Sequence, residues 1–207
     1  RMHRFIFVCQ QAHVEAYGLG EKLSKWAPGC KIVGLNGLTD GAACTVLCAR
    51  DLIDNQEELM IANSDQYVDV AIDDYLDSMD KGDYDGLIMT MRANDPKWSF
   101  VGLDTNSLVT RVVEKEVISD EATVGIYNFR HGHDFVAAAD RMIARNLRVN
   151  NEFYVAPTYN QLIEDGRRVC IYNVGEEASG MYGLGIPDDL SLFLGLPVLA
   201  KATGELN

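Results

Sequence analysis

The stretch Leu59-Met60-Ile61-Ala62-Asn63-Ser64-Asp65-Gln66 sets an apolar run against an abrupt polar stop. A short apolar run bounded by polar residues reads as a strand buried in a parallel sheet, and the stop delivers one carboxylate, Asp65, to its carboxyl end. Open α/β sheets bind ligands in the crevice beyond the carboxyl ends of their strands, where an Asp oxygen is suited to a hard cation. The structural alternative is that Asp65 caps a turn or the following helix.

Working outward, the segment after Gln66 is rich in acid: Asp69, Asp73, Asp74, Asp77, Asp80, Asp83 and Asp85. No calcium-loop register can be laid on it, so it reads as the solvated face of a helix around Ile72 to Met79 plus a turn. The strand Gly86 to Met91 follows. Upstream, Phe5 to Cys9 reads as a central strand, Ala12 to Trp26 as one helix ended by Pro28-Gly29, and Lys31 to Leu35 as a second strand. The small, turn-rich segment Asn36 to Ala43 then opens a helix through Ile53. Glycine and alanine at such a junction let a flat ligand lie against backbone, though a plain turn and helix cap also explains them.

From Trp98 the rhythm changes. Phe100 to Asp104 and Leu108 to Lys115 read as a hairpin, Ala122 to Phe129 as a strand, and His133 to Asn146 as a helix. A helix near Ala156 to Ile163, a strand Arg168 to Val174 and a last helix opened by Pro187-Asp188-Asp189 complete the chain. His131-Gly132-His133-Asp134 offers metal-ligating types, and reads as a loop with Asp capping the helix. No nucleophile elbow, Walker loop or zinc spacing is present. The predicted architecture is a single α/β domain over residues 1–207: a Rossmann-like, mostly parallel mixed sheet flanked by helices, with a small β-hairpin region.

The chain has 207 residues and a formal net charge of −13, so its field repels nucleic acid and anionic membrane surfaces. A small anionic substrate would need a local cation. Five cysteines, odd in number and without a Cys-x-x-Cys pair, read as free thiols in a reducing, cytoplasmic setting. No secretory signal or membrane-length apolar run is visible, and homo-oligomerisation is left open.

The order of these motifs resembles that of the sugar-phosphate nucleotidyltransferases. The matching features are the turn Gly37 to Ala43, the strand-end Asp65, the hairpin ending Glu114-Lys115, the strand Val124-Gly125-Ile126-Tyr127-Asn128-Phe129 with Asn151-Glu152-Phe153-Tyr154, and the closing Gly183-Leu184-Gly185-Ile186-Pro187. The resemblance implies a nucleoside triphosphate and a small phosphorylated acceptor as substrates and Mg²⁺ as cofactor. Gly41, Ala43 and Asn63 would lie at the nucleotide, Asp65 would hold the metal, Lys115 would contact the acceptor phosphate, and Glu114, Gly125 and Glu152 would lie near the acceptor. The family's glycine-rich triphosphate loop does not follow the first strand here, where Gln10-Gln11-Ala12-His13 stands instead. The expectation is therefore that one βα unit is missing ahead of Arg1. The family's second metal-binding Asp is also unmatched. A glycosyltransferase of the same general fold and a non-catalytic nucleotide- or sugar-binding domain remain as alternatives.

Overall fold

In the computed structural model, which describes residues 1–204, the first half of the chain contains β1 (Ile6–Gln10), α1 (Gln11–Tyr17), α2 (Leu19–Trp26), β2 (Lys31–Leu35), α3 (Ala42–Leu47), α4 (Arg50–Ile53), β3 (Leu59–Ala62), β4 (Gln66–Val68), α5 (Ile72–Gly82) and β5 (Gly86–Arg92). The second half adds the hairpin β6 (Ser99–Leu103) and β7 (Val109–Glu114), then β8 (Glu121–Phe129) and α6 (Gly132–Ala144). A 3₁₀ turn (Ala156–Thr158), α7 (Tyr159–Glu164), β9 (Val169–Glu177), β10 (Gly180–Gly183), α8 (Pro187–Leu194) and α9 (Val198–Gly204) follow.

The centre is β5. Every residue from Gly86 to Met91 is buried, as an apolar strand covered on both faces requires. It runs parallel to β9 and antiparallel to β8 within an eight-stranded sheet of order β4-β10-β9-β5-β8-β6-β7, with β3 also paired to β8. The helices lie on two sides. One core cluster joins Phe129, Val101 and Val169 of the sheet to Phe135, Met142, Tyr159 and Leu162 of α6 and α7. The other packs Tyr75 and Met79 of α5 against Leu87, Met89 and Met91. The class is the mixed, helix-flanked α/β fold expected.

Several local expectations change. β3 is not a doubly buried parallel strand: it pairs antiparallel with β8, and Met60 and Ala62 are exposed between inward Leu59 and Ile61. β1 is not central to the large sheet; it pairs only with β2, in parallel, as a separate two-stranded sheet. Ile6, Val8 and Val33 nevertheless pack against the core cluster that also receives Leu59 and Ile61. The helix expected over Ala12–Trp26 divides at Gly18, whose φ of 60° ends α1 with a left-handed cap and begins α2. The helix expected after the Gly41 turn likewise divides into α3 and α4. Asp134 does not cap α6: His131 occupies that position without a side-chain bond, and Asp134 lies in the first turn. His133 instead meets Asp54 at 2.8 Å. β4 and β10 had no sequence signal because three or four residues are too short to show a period. The five cysteines are free. Among the described residues no helix is long and apolar enough to cross a membrane.

Two buried tyrosines converge on one carbonyl at the centre. Tyr75 Oη donates to Leu87 O at 3.0 Å, and Tyr159 Oη reaches Leu87 O at 3.3 Å and Asn128 O at 2.7 Å. The Tyr159 ring stacks on Phe129 with centroids 4.4 Å apart. A side chain at Gly86 would meet that ring at 2.6 Å, so glycine is required for the ring to seat. Tyr159→Phe keeps the stack, takes the Tyr159 donor from Asn128 O and leaves Leu87 O to Tyr75, and is expected to cost about 1–3 kcal/mol of unfolding free energy in urea titration. Tyr159→Leu, which also loses the ring contact, is expected to cost more.

Candidate functional site

The ladder fixes which ends of the strands share an edge. β3 and β5 both run antiparallel to β8, and β9 runs parallel to β5, so the carboxyl ends of β3, β5 and β9 lie together. Asp65 follows β3 at that edge and is exposed. Thr90 pairs with both Thr123 and Asn173, which sets the level of the edge on β8 and β9. One pairing, Phe100 with Ala122, joins the hairpin to β8, and Ser99 pairs with Glu114. Glu114 and Lys115 thereby come level with Thr123. Sequence-distant residues read as a metal ligand and an acceptor-phosphate contact thus share one rim of the sheet.

A bulge shapes the rim. The β5–β8 register shifts between Ile88 and Thr90, opposite Gly125, whose φ is 79°. A Cβ on Gly125 would lie 2.3 Å from Asn63 Nδ2, so only glycine lets the Asn63 side chain seat against β8. The Asn63 backbone N–H donates to Gly125 O at 2.9 Å, which anchors the segment just before Asp65. On the other side, Leu184 N–H donates to Asp65 O at 2.8 Å, and a Cβ on Gly185 would lie 2.5 Å from Asp65 Oδ2. The carboxylate therefore lies directly on the glycine backbone of the 183–185 turn. Asp189, read from sequence as a first-turn helix acid, also faces this turn: its Oδ2 would be 3.0 Å from a Cβ on Gly183.

The acceptor-side residues form a second group. Glu114 is buried, accepts the Ser99 hydroxyl, and stands near Tyr127. Burial pushes its carboxyl above the ordinary range; the Ser99 donor and the Lys115 charge pull back, and Glu152 adds to the rise. Tyr127 shares a 3.0 Å contact with Thr123, and burial pushes its phenol up to about 12. Lys115 takes up a left-handed φ of 58°, with its N–H on Trp98 O at 3.0 Å. Its Nζ donates to Tyr154 Oη at 2.9 Å, and that bond raises the lysine further above its usual value. Sequence reading named Tyr154 only within the Asn151–Tyr154 segment and gave it no role, and it did not name Ser99. Neither has a local signal, since each is identified by its partner in space.

The turn at Gly41 packs against the chain's own backbone. Gly41 has φ 117°, and the room of its missing side chain is taken by the backbone of Phe153, 2.6 Å from a built Cβ. Phe153 N–H donates to Asp40 O at 2.7 Å and Ala43 N–H to Phe153 O at 2.9 Å. Ala43 is sealed inside the core cluster. Their small size thus admits the Phe153 loop segment, which carries Glu152 and Tyr154, and Ala43 is fully buried.

Among the described residues no group of three or more His, Cys, Asp or Glu could hold a metal. One exposed carboxylate is compatible with Mg²⁺, which keeps several waters and takes its remaining ligands from substrate phosphates. Two buried donors on residues bounding the rim, Gln66 Nε2 and Trp98 Nε1, have no protein partner.

Because Glu114 binds its proton more tightly folded than unfolded, its ionisation costs stability as pH rises from the ordinary value of 4.5 through its raised folded value. Glu114→Gln is therefore expected to match the parent in thermal midpoint below pH 4.5 and to exceed it by a margin that grows until the pH passes the raised folded value and then levels off. A constant difference across that range would mean the carboxylate pays no burial penalty.

No family model matches the chain, and no curated protein matches it. Solved structures do. The chain is similar to a nucleoside-diphosphate-sugar pyrophosphorylase from Vibrio cholerae RC9, with TM-score 0.78 and 24% identity over 94% of this chain and 81% of that one. It is also similar to an inositol-1-phosphate CTP transferase from T. maritima, with TM-score 0.63 and 12% identity over 90% of this chain and 71% of that one. At these identities the likeness establishes a fold shared with those two proteins.

Proposed function

We propose that this chain transfers a nucleotidyl group from a nucleoside triphosphate to a small phosphorylated acceptor, a sugar phosphate or similar alcohol phosphate, releasing pyrophosphate. The observation that carries the reading is the shared rim: exposed Asp65 beyond β3, held on the 183–185 turn, with the Glu114-Lys115 hairpin end at the level of Thr123. The activities named for the two similar structures support the same chemistry.

In the reaction an acceptor phosphate oxygen attacks the α-phosphorus in line. The new P–O bond forms as the bond to the β-phosphate oxygen breaks, and pyrophosphate carries away the electron pair. Positioning and charge stabilisation account for most of the catalysis. Asp65 would hold Mg²⁺, which offsets charge on the phosphate oxygens. Asn63, fixed on Gly125, sets the approach of the Asp65 segment and would line the nucleotide. Lys115 brings a compact cation to the acceptor phosphate, a local exception in a chain of net charge −13. Glu114 and Glu152 would meet acceptor hydroxyls, and Gly125 would leave room beside them.

The test is pyrophosphate release by the full-length polypeptide with Mg²⁺, each nucleoside triphosphate, and a panel of sugar 1-phosphates and small alcohol phosphates. A signal requiring one triphosphate together with one acceptor supports the reading. Release of nucleoside diphosphate from a sugar nucleotide offered in a parallel assay would favour a glycosyltransferase, and nucleotide-dependent thermal stabilisation without turnover would favour a binding domain. In the active enzyme Asp65→Asn is expected to lower kcat/KM by about 100-fold or more, a loss of about 2.7 kcal/mol of transition-state stabilisation. Lys115→Ala is expected to raise the acceptor KM by about tenfold or more, with the triphosphate KM little changed.

A further inference from the structure

Lys115 is exposed, long and flexible, yet its ammonium is held at one point by a hydrogen bond of 2.9 Å to Tyr154 Oη. The nature of that partner matters. Two carboxylates stand close enough to act on the lysine electrostatically, Glu114 and Glu152. Pairing with either would order the side chain while cancelling its charge, and an incoming anion would have to break an ion pair. Glu114 is already occupied by Ser99 and buried, and Glu152 is exposed. A phenol orders the ammonium without forming an ion pair with it.

The phenol is itself anchored. Its neighbour Phe153 is buried, bonded through both backbone groups to Asp40 and Ala43, and packed against the face of Gly41 where a side chain would be. Arg148 lies 4.3 Å from the Phe153 ring centroid. At the other end the Lys115 backbone is fixed by Trp98 O and its left-handed φ. Both ends of the contact are thus tied by backbone hydrogen bonds, Lys115 to Trp98 and the neighbour of Tyr154 to Asp40 and Ala43.

We infer that Tyr154 is a positioning residue: anchored through Phe153 on the Gly41 turn, its hydroxyl holds the Lys115 ammonium ready for the acceptor's phosphate. Ordering a lysine side chain costs up to about 2 kcal/mol of rotamer entropy, and an ammonium held before binding spares the acceptor much of that cost. The kinetic part of this inference rests on the nucleotidyl-transfer reading; the geometric part does not.

Two measurements on the full-length protein test it separately. In the first, acetylation by an N-hydroxysuccinimide ester is followed at each lysine by mass spectrometry. Tyr154→Phe, which keeps the ring and loses only the hydroxyl, is expected to raise the labelling rate at Lys115 several-fold while Lys22 and Lys25 are unchanged. Gly41→Ala, which must displace Phe153, is expected to do the same. Equal labelling of Lys115 in the parent and Tyr154→Phe overturns the proposal.

The second measurement is steady-state kinetics with the acceptor identified by the pyrophosphate screen. Tyr154→Phe is expected to raise the acceptor KM by up to about tenfold, with kcat, the triphosphate KM and the thermal midpoint little changed. An unchanged acceptor KM, or a loss of kcat with a lowered midpoint, overturns the proposal. Absence of turnover with every acceptor counts against the nucleotidyl-transfer reading, and a rise in Lys115 labelling would still support the placement of the ammonium by Tyr154.

Discussion

The carbonyl of Leu87 is the point on which the layers of this protein are pinned. It lies in a strand buried on both faces, between a parallel and an antiparallel neighbour, and it receives the hydroxyl of Tyr75 from α5 and that of Tyr159 from α7. A phenol brings a large apolar surface into a core only if its hydroxyl finds an acceptor. The middle strand supplies one acceptor to both layers. This sets how α5 and α7 sit on the sheet, and through α7 it sets the preceding segment that carries Glu152 and Tyr154.

At the rim the constraints are of the opposite kind, set by glycines and not by bulk. Gly125 makes room for Asn63, Gly185 for the Asp65 carboxylate, and Gly41 for Phe153. Each brings two backbone segments closer than a side chain would allow, so polar groups distant in sequence meet without a large cavity. The acids and the lysine are then separated by environment. Asp65 is exposed and free to meet a cation, Glu114 is buried and reluctant to ionise, and Lys115 is held by a neutral partner. Within a strongly acidic chain, that separation allows an anion to be received at one place.

Much of the fold could be read from the chain, and for identifiable reasons. β5, β8 and the β6–β7 hairpin announce themselves because burial on both faces or strict alternation leaves a pattern in the residues. α5 does so through its apolar stripe against a row of aspartates. β4 and β10 leave none, being a few residues long and defined by their pairing with each other and with β9. The site divides similarly. A strand-end acid such as Asp65 is visible locally, whereas the partnership of Lys115 with Tyr154 joins residues 39 positions apart and exists only after folding. Gly41 shows a further limit. Its small size correctly marks a close approach, but the sequence does not say what approaches; in the structure it is the chain's own backbone.

The two-stranded sheet of β1 and β2 has a consequence for the protein in concentrated solution. The strand Ile-Phe-Val-Cys-Gln of β1 contains no charge and no proline, and one of its edges has no ladder partner among the described residues. Natural sheets usually guard such an edge with lysine, proline or a bulge. An apolar edge left uncovered accepts any extended chain that reaches it, so wherever no other segment lies beside it this strand is where self-association into β-aggregates would start.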